Sequence, residues 1–288
     1  MELLNVSPKR LTVRQKWEEM RIIFLGDFQY AGKKAHGTAM SRLKETIAEG
    51  MERGAYFIGM GDYIDFLSPS NRQRLRSAAL YDTAEDVIDD KAVELTHELF
   101  DAVLRPTVGR WLGLVEGHHF AQLKAGDTTD MRLCEMLKAP FLGTCGLIRV
   151  NFSRGTSRMG VTLWVHHGTG NGQSSYYPLA RLESFASSQE TVDAFAIGHT
   201  TKMGAVPLNR MGYKWGSQHG KAYHRKTYVI GTGGYSRAYV EGAKQGRVPR
   251  GGYAEAGMMK PAIIGSPTLI IRPIRDADTI YPDLRVEV

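Results

Sequence analysis

The sequence predicts an α/β domain. Short apolar runs recur along the chain, helical periodicity alternates with them in the first half, and five of the runs end in a carboxylate or histidine beside a glycine. A short apolar run reads as a buried strand, and glycine lets the chain turn tightly where the strand stops. With 288 residues, the chain is long enough for one large domain with a full core, so residues 1–288 are read as a single domain.

Residues 21–26 read as a strand. In 37–53, Met40, Leu43, Ile47 and Met51 recur at helical spacing with polar residues between them. Residues 55–60 form the next strand, followed by a basic loop over 68–81. Thr83, with Asp86 three residues on, reads as the cap of a helix that runs to residue 104, where Pro106 stops it. Val87, Val93, Leu95, Leu99 and Val103 are its expected core face. Residues 110–116 are a strand, and Thr128 opens a short helix through residue 138, with Pro140 after it. Beyond residue 145 strands dominate. Residues 147–152 and 161–166 read as a hairpin, 174–188 as a helix with Pro178 near its start, and 193–197, 205–208, 222–230, 268–272 and 284–288 as strands. Residues 235–265, rich in Gly, Tyr and basic residues, read as a surface loop or partly helical lid within the domain.

The five endings carry the chemistry. They are Leu25-Gly26-Asp27, Met60-Gly61-Asp62, Glu116-Gly117-His118-His119, Val165-His166-His167-Gly168 and Ile197-Gly198-His199. One Gly-Asp or Gly-His is common loop chemistry; five in one chain are not. Ligands of open α/β sheets gather outside the carboxyl ends of strands, so Asp27, Asp62, His118, His119, His167 and His199 are expected at one mouth. Carboxylates and imidazoles together are the donors a metal-dependent hydrolase needs.

The blocks Asp27-Phe28-Gln29, Gly61-Asp62-Tyr63-Ile64-Asp65, Gly117-His118-His119, His167-Gly168 and Gly198-His199-Thr200-Thr201 resemble the calcineurin-like metallophosphoesterase superfamily in order and spacing. The family pattern reads Asp-x-His, Gly-Asp-x-x-Asp, Gly-Asn-His, a His before Gly, and Gly-His-x-His. The likeness spans 21–201. Residues 228–271, with Gly231-Thr232-Gly233-Gly234-Tyr235 and Gly252-Tyr253-Ala254-Glu255, also look like the closing strands of phage-type members. The resemblance implies a four-layer αββα sandwich: two mixed β-sheets packed face to face, flanked by helices.

Three family ligands are changed. Gln29 stands for the first His, His118 for the Asn and Thr201 for the last His. By resemblance, one metal keeps a full set, Asp62, His118, His167 and His199. Three imidazoles and a carboxylate suit zinc, manganese, iron or nickel. The other position keeps Asp27, Asp62, the Gln29 amide and the Thr201 hydroxyl, oxygen donors that suit weakly held magnesium or manganese, or no metal. One or two divalent ions are therefore expected. His36 is a candidate substitute ligand, though a loop histidine meeting substrate or solvent is the plainer reading. His119 matches the family's catalytic histidine and Asp65 the carboxylate that orients it. His166, next to His167 on a strand, should point the other way. His219 and His224 have no ligand spacing and read as surface or substrate-contacting.

Hydrophobic content of 42% and charged content of 23% are ordinary for a globular protein, and no apolar run approaches a membrane span. Cys134 and Cys145 form neither a disulfide framework nor a Cys-x-x-Cys pair, and no signal-peptide core opens the chain. A cytoplasmic setting is expected, the host cytoplasm if the chain is phage-encoded. The formal net charge of +7 predisposes the surface to polyanions, with Arg72, Arg74 and Arg76, then Lys214, Lys221, Arg225 and Lys226, then Lys244, Arg247 and Arg250 as the basic stretches. The leading functional expectation is a metal-dependent phosphoesterase acting on phosphodiesters or nucleic-acid-like substrates. A metal-holding scaffold without catalysis and a small-molecule phosphomonoesterase are the alternatives.

Overall fold

The computed structural model describes all residues except 1–8, 34–36, 79, 171–173, 175, 216–219, 246 and 277–278. In chain order the elements are β1 (Lys9–Lys16), β2 (Met20–Leu25), α1 (Met40–Glu52), β3 (Tyr56–Gly59), α2 (Pro69–Ser77), α3 (Asp82–Leu99), β4 (Trp111–Val115), α4 (Thr129–Leu137), β5 (Phe141–Gly143), β6 (Cys145–Arg154) and β7 (Ser157–His166). They continue as α5 (Tyr177–Ser187), β8 (Ala194–Ile197), β9 (Met203–Trp215), β10 (Gly220–Thr232), β11 (Lys244–Gln245), β12 (Val248–Pro249), α6 (Tyr253–Ala256), β13 (Thr268–Arg275) and β14 (Ile280–Glu287).

Two six-stranded mixed sheets result, ordered β14-β13-β2-β3-β4-β5 and β1-β6-β7-β8-β10-β9. Strands β2 to β5 run parallel, as do β7, β8 and β10, so their carboxyl ends share a side. Alternation divides each strand between two cores. Ile22 and Phe24 of β2 face Ile148, Val150 and Phe152 of β6 and Val161, Leu163 and Val165 of β7 between the sheets. Ile23 and Leu25 face the other way, onto Leu43 and Ile47 of α1, Leu95 and Leu99 of α3 and Leu133 and Leu137 of α4. Phe195, Ile197 and Val229 of the second sheet pack outward on Leu182 and Ala186 of α5. Helix, sheet, sheet and helix are the four layers expected.

Several local expectations are corrected. The 68–81 stretch is not all loop, because Ser68 accepts the Asn71 N–H and Pro69 opens α2. Thr83 is not the cap of α3, which already begins at Asp82, and Val87 lies on its solvent face at 68% exposure. Near its end, α3 gives way to a π turn over Phe100–Leu104 and a 3-10 turn over Arg105–Thr107. Strand β1 was not anticipated: its apolar residues are Leu11 and Val13, set among polar ones, and it pairs in parallel with β6. The pair β9–β10 extends as a ribbon well beyond the predicted 205–208 and 222–230. Residues 235–265 hold the short β11–β12 hairpin and α6. Among the described residues, no helix is long and apolar enough to cross a membrane.

Phe152 is fully buried between the sheets. Phe152→Ala should cost about 3–5 kcal/mol, read by urea unfolding. A loss under about 1 kcal/mol, the size expected away from the core, would contradict this packing.

Candidate metal centre

The carboxyl ends of β2, β3, β4, β7 and β8 deliver Asp27, Asp62, His118, His167 and His199 to one place. Their backbones are bent to do it. Seven non-glycine residues among those described have positive φ, and five of them are Asp27 (49°), Gln29 (46°), Asp62 (51°), His199 (64°) and Thr201 (52°). Each left-handed residue costs ~1–2 kcal/mol, so the surrounding contacts must hold them there. Gly117 makes that crowding possible, since a Cβ there would overlap the Asp62 main-chain nitrogen and carboxylate. Gly61, at φ 90°, likewise lies where a Cβ would strike the His167 ring.

Asp62 is the hub. Its Oδ1 accepts the main-chain N–H groups of His118 and of His119, the latter at 3.1 Å, and lies 3.3 Å from His167 Nε2. Its carbonyl accepts the Gln29 N–H at 3.0 Å. Burial alone would raise the Asp62 pKa, but the His167 imidazole 3.3 Å away outweighs it and holds the carboxyl well below the usual range. His167 is 1% exposed, and its Nδ1–H donates to the Met60 carbonyl at 2.6 Å, so Nε2 is turned toward the carboxylates. Burial opposes its charge, yet Asp62, Asp27 and the Met60 carbonyl together push its pKa up to about 9.

Three imidazoles face one another. Nδ1 of His118 and Nδ1 of His199 stand 3.1 Å apart, and the three ring centroids of His118, His167 and His199 lie 4.6 to 5.1 Å from each other. At that distance either the Nδ1–H tautomer of one ring donates to the Nδ1 of the other, or two lone pairs face a cation between them. Burial and the His167 charge lower the His118 pKa, and burial with the charges of His167 and His118 lowers His199 to about 4, so protonation is disfavoured. Asp27 is fully buried: Oδ2 accepts the His199 N–H at 2.9 Å while Oδ1 has no hydrogen-bond partner. Burial, reinforced by the Asp62 charge, raises its pKa to about 7. Imidazole nitrogens brought together and an orphaned buried carboxylate oxygen are what a divalent cation would satisfy. Ligand atoms of His118, His167 and His199, and of Asp27, Asp62 and His167, fall within 4.8 Å of one another, so His167 belongs to both groups.

The changed positions lie at the same mouth and are already engaged in hydrogen bonds. The Gln29 side-chain oxygen accepts the Ser236 hydroxyl at 2.9 Å, and the Thr201 hydroxyl donates to the Thr200 carbonyl at 2.8 Å. His119 Nδ1 donates to Asp65 Oδ1 at 2.8 Å, a bond that raises the His119 pKa and leaves Nε2 free to carry a proton. His166 points away from the cluster, stacked on Trp164, and its Nδ1 accepts the Gly168 N–H at 2.7 Å. His224 is remote, beside Asn209. His36 and His219 lie outside the described residues.

Two residues not anticipated complete the site. Asp130, buried in the first turn of α4, accepts the Gly117 N–H at 2.9 Å, and burial lifts its pKa to about 7. Arg72 lies within 2.6 Å of the His118 carbonyl and 3.0 Å of the Phe120 carbonyl. Nothing in a single sequence separates Asp130 from other helix-capping acids, and Arg72 was visible only as part of a basic stretch.

No family model matches the sequence, and no curated protein matches it. Among solved structures, vacuolar protein sorting 29 from Cryptosporidium parvum is similar at 12% identity and a TM-score of 0.33, over 94% of this chain and 98% of that one. The NAD nucleotidase NadN from Haemophilus influenzae is similar at 10% identity and a TM-score of 0.39, over 94% of this chain and 51% of the nucleotidase, so this chain spans about half its length.

Proposed function

We propose that this protein is a metal-dependent phosphoesterase, with a divalent ion held by Asp62, His118, His167 and His199 and with Asp27 and Gln29 beside it. The observation that carries the reading is the conjunction of the His118–His199 nitrogen pair at 3.1 Å with a His–Asp couple, His119–Asp65, whose histidine directly follows His118 in the chain. A metal-holding scaffold accounts for the first and has no use for the second.

When bound, the metal supplies a water of lowered pKa and neutralises charge on the phosphoryl oxygens. The protein's own residues supply the rest. His119 Nε2 gives its proton to the leaving oxygen as the bond to phosphorus breaks. Asp65 accepts from Nδ1, fixing the tautomer that leaves Nε2 facing the substrate and stabilising the imidazolium beforehand. Asp62 carries the loop that holds both His118 and His119, so ligand and proton donor move together. Phosphodiesters are the preferred substrate class, in keeping with the net charge of +7. The polyanion footprint is smaller than that charge implies, because Arg225 is bound to Asp193 and Arg72 to main-chain carbonyls.

His199→Ala should strip the tightly held metal, read by elemental analysis of the purified protein; full occupancy in that variant would remove the ligand assignment. With Gln29 and Thr201 tied to Ser236 and Thr200, a second ion should bind only at millimolar metal, and Gln29→His with Thr201→His should tighten it. Two equally tight ions in the unaltered chain, seen by calorimetry, would contradict this.

His119→Ala should lower kcat by ~10²–10⁴-fold with metal content unchanged. The Asp65 bond raises the His119 pKa above 6.5, so the proton-donating form persists above that pH and activity should fall on a limb lying above 6.5. Asp65→Asn removes the charge that raises it, so the limb should move to lower pH. A limb that stays in place in kcat–pH profiles would separate His119 from proton transfer.

A further inference from the structure

Residues 65–72 grip His119 at several points, more than orienting one imidazole requires. The Asp65 carboxylate holds the ring, and the N–H groups of Phe66 and Leu67 donate to the His119 carbonyl at 3.4 and 3.3 Å. Arg72 Nη1 reaches the carbonyls of Leu67, His118 and Phe120 at 2.7, 2.6 and 3.0 Å, and the guanidinium carbon lies 3.9 Å over the Phe120 ring centroid. The carbonyls of three successive residues, 118 to 120, are thus bound from this one segment.

The N–H groups of the same loop are bound from the opposite side. Gly117 donates to Asp130 at 2.9 Å, His118 and His119 to Asp62, and Ala121 to the Thr129 hydroxyl at 3.1 Å. Carboxylates draw the loop one way and a guanidinium draws it the other. Nη1 carries two hydrogens for three carbonyls, so one hydrogen is shared, and the full positive charge offsets the dipoles converging on it.

We infer that Arg72 is a positioning residue, setting the angle at which His119 meets the leaving oxygen by holding the main chain on both sides of it. The inference rests on the reading of His119 as proton donor. Geometry alone supports the choice of arginine: the planar guanidinium stacks on Phe120 while one nitrogen serves the carbonyls, a combination an ammonium cannot reproduce. Helix α2 exists to deliver it, since the Ser68 cap and Pro69 start the helix and place Arg72 in its first turn. A cavity of about 250 Å³ lined by Arg72, Leu75, Ile88 and Leu123 lies alongside, so truncating the side chain enlarges existing space.

The test compares Arg72→Ala, Arg72→Lys, His119→Ala and the Arg72→Ala/His119→Ala double variant, each metal-loaded. By hydrogen-exchange mass spectrometry, amides over 117–121 should exchange about 10-fold faster in Arg72→Ala, while those of β6 and β7 keep their rates. On a phosphodiester with an alkyl leaving group, kcat should fall by ~10–100-fold with KM held within about 2-fold. With nitrophenolate, which needs little protonation, the loss should be below about 3-fold, and in the His119→Ala background Arg72→Ala should add almost nothing. Arg72→Lys should recover part of the loss. Unchanged exchange over 117–121 overturns the inference, as does an equal loss for both leaving groups or an effect confined to KM, which would make Arg72 a substrate contact. If His119→Ala itself shows no leaving-group dependence, the functional reading fails, and the exchange rates still decide whether Arg72 holds the loop.

Discussion

The buried carboxylate of Asp62 is the constraint on which the other features depend. It sits at the end of β3 in a left-handed conformation that an aspartate adopts only when its surroundings insist. Its Oδ1 collects two main-chain donors from the His118–His119 loop and faces His167, while its carbonyl fixes the Gln29 backbone. Four strand ends are thereby tied to one residue. An unpaired carboxylate at that depth would cost several kcal/mol, so the histidines around it are a condition of its charge as much as it is a condition of their placement. The same logic makes Asp27 informative, because one of its oxygens has no donor at all.

The two-sheet architecture supplies what this hub needs. Parallel strands β2, β3 and β4 in one sheet and β7 and β8 in the other end on the same side, so residues far apart in sequence arrive within hydrogen-bond range. The His199 N–H bond to Asp27 crosses from one sheet to the other, as does the contact of His167 with Asp62 and Met60. The core between the sheets, with Phe24, Phe152 and Leu163, holds that spacing. The histidine and carboxylate cluster and the neighbouring His119–Asp65 pair are thus products of the packing, and the local loops only refine them.

Much of this was legible in the sequence, for identifiable reasons. Apolar runs ending at Gly-Asp and Gly-His marked the strand ends because buried parallel strands have no polar alternation to obscure them. Thr128 was readable as a cap because a Ser/Thr/Asp/Asn residue ahead of a helical pattern has one main use. Strand β1 was hidden because its half-buried face shows only Leu11 and Val13 among polar residues. Helix α2 was hidden by its polarity, although Ser68-Pro69 carried a start signal. Val87 followed the helical period on the wrong face, which a single helix cannot reveal before its partners are known. At the site, residue types foretold which side chains converge but not the left-handed backbone of Gln29, His199 and Thr201, nor the hydrogen bond of the Gln29 amide oxygen with Ser236 from 207 positions away. Arg72 was read by its charge as a surface feature, whereas its role is set by three main-chain carbonyls that only the fold assembles.

The central claim is that the histidine cluster around Asp62 holds a divalent cation. Anomalous diffraction from crystals loaded separately with manganese and zinc tests it directly. The account predicts a strong anomalous peak among His118, His167 and His199 beside Asp62, with any second peak near Asp27 weaker and dependent on metal concentration. Absence of a peak there at saturating metal, or a sole peak elsewhere on the molecule, would contradict it.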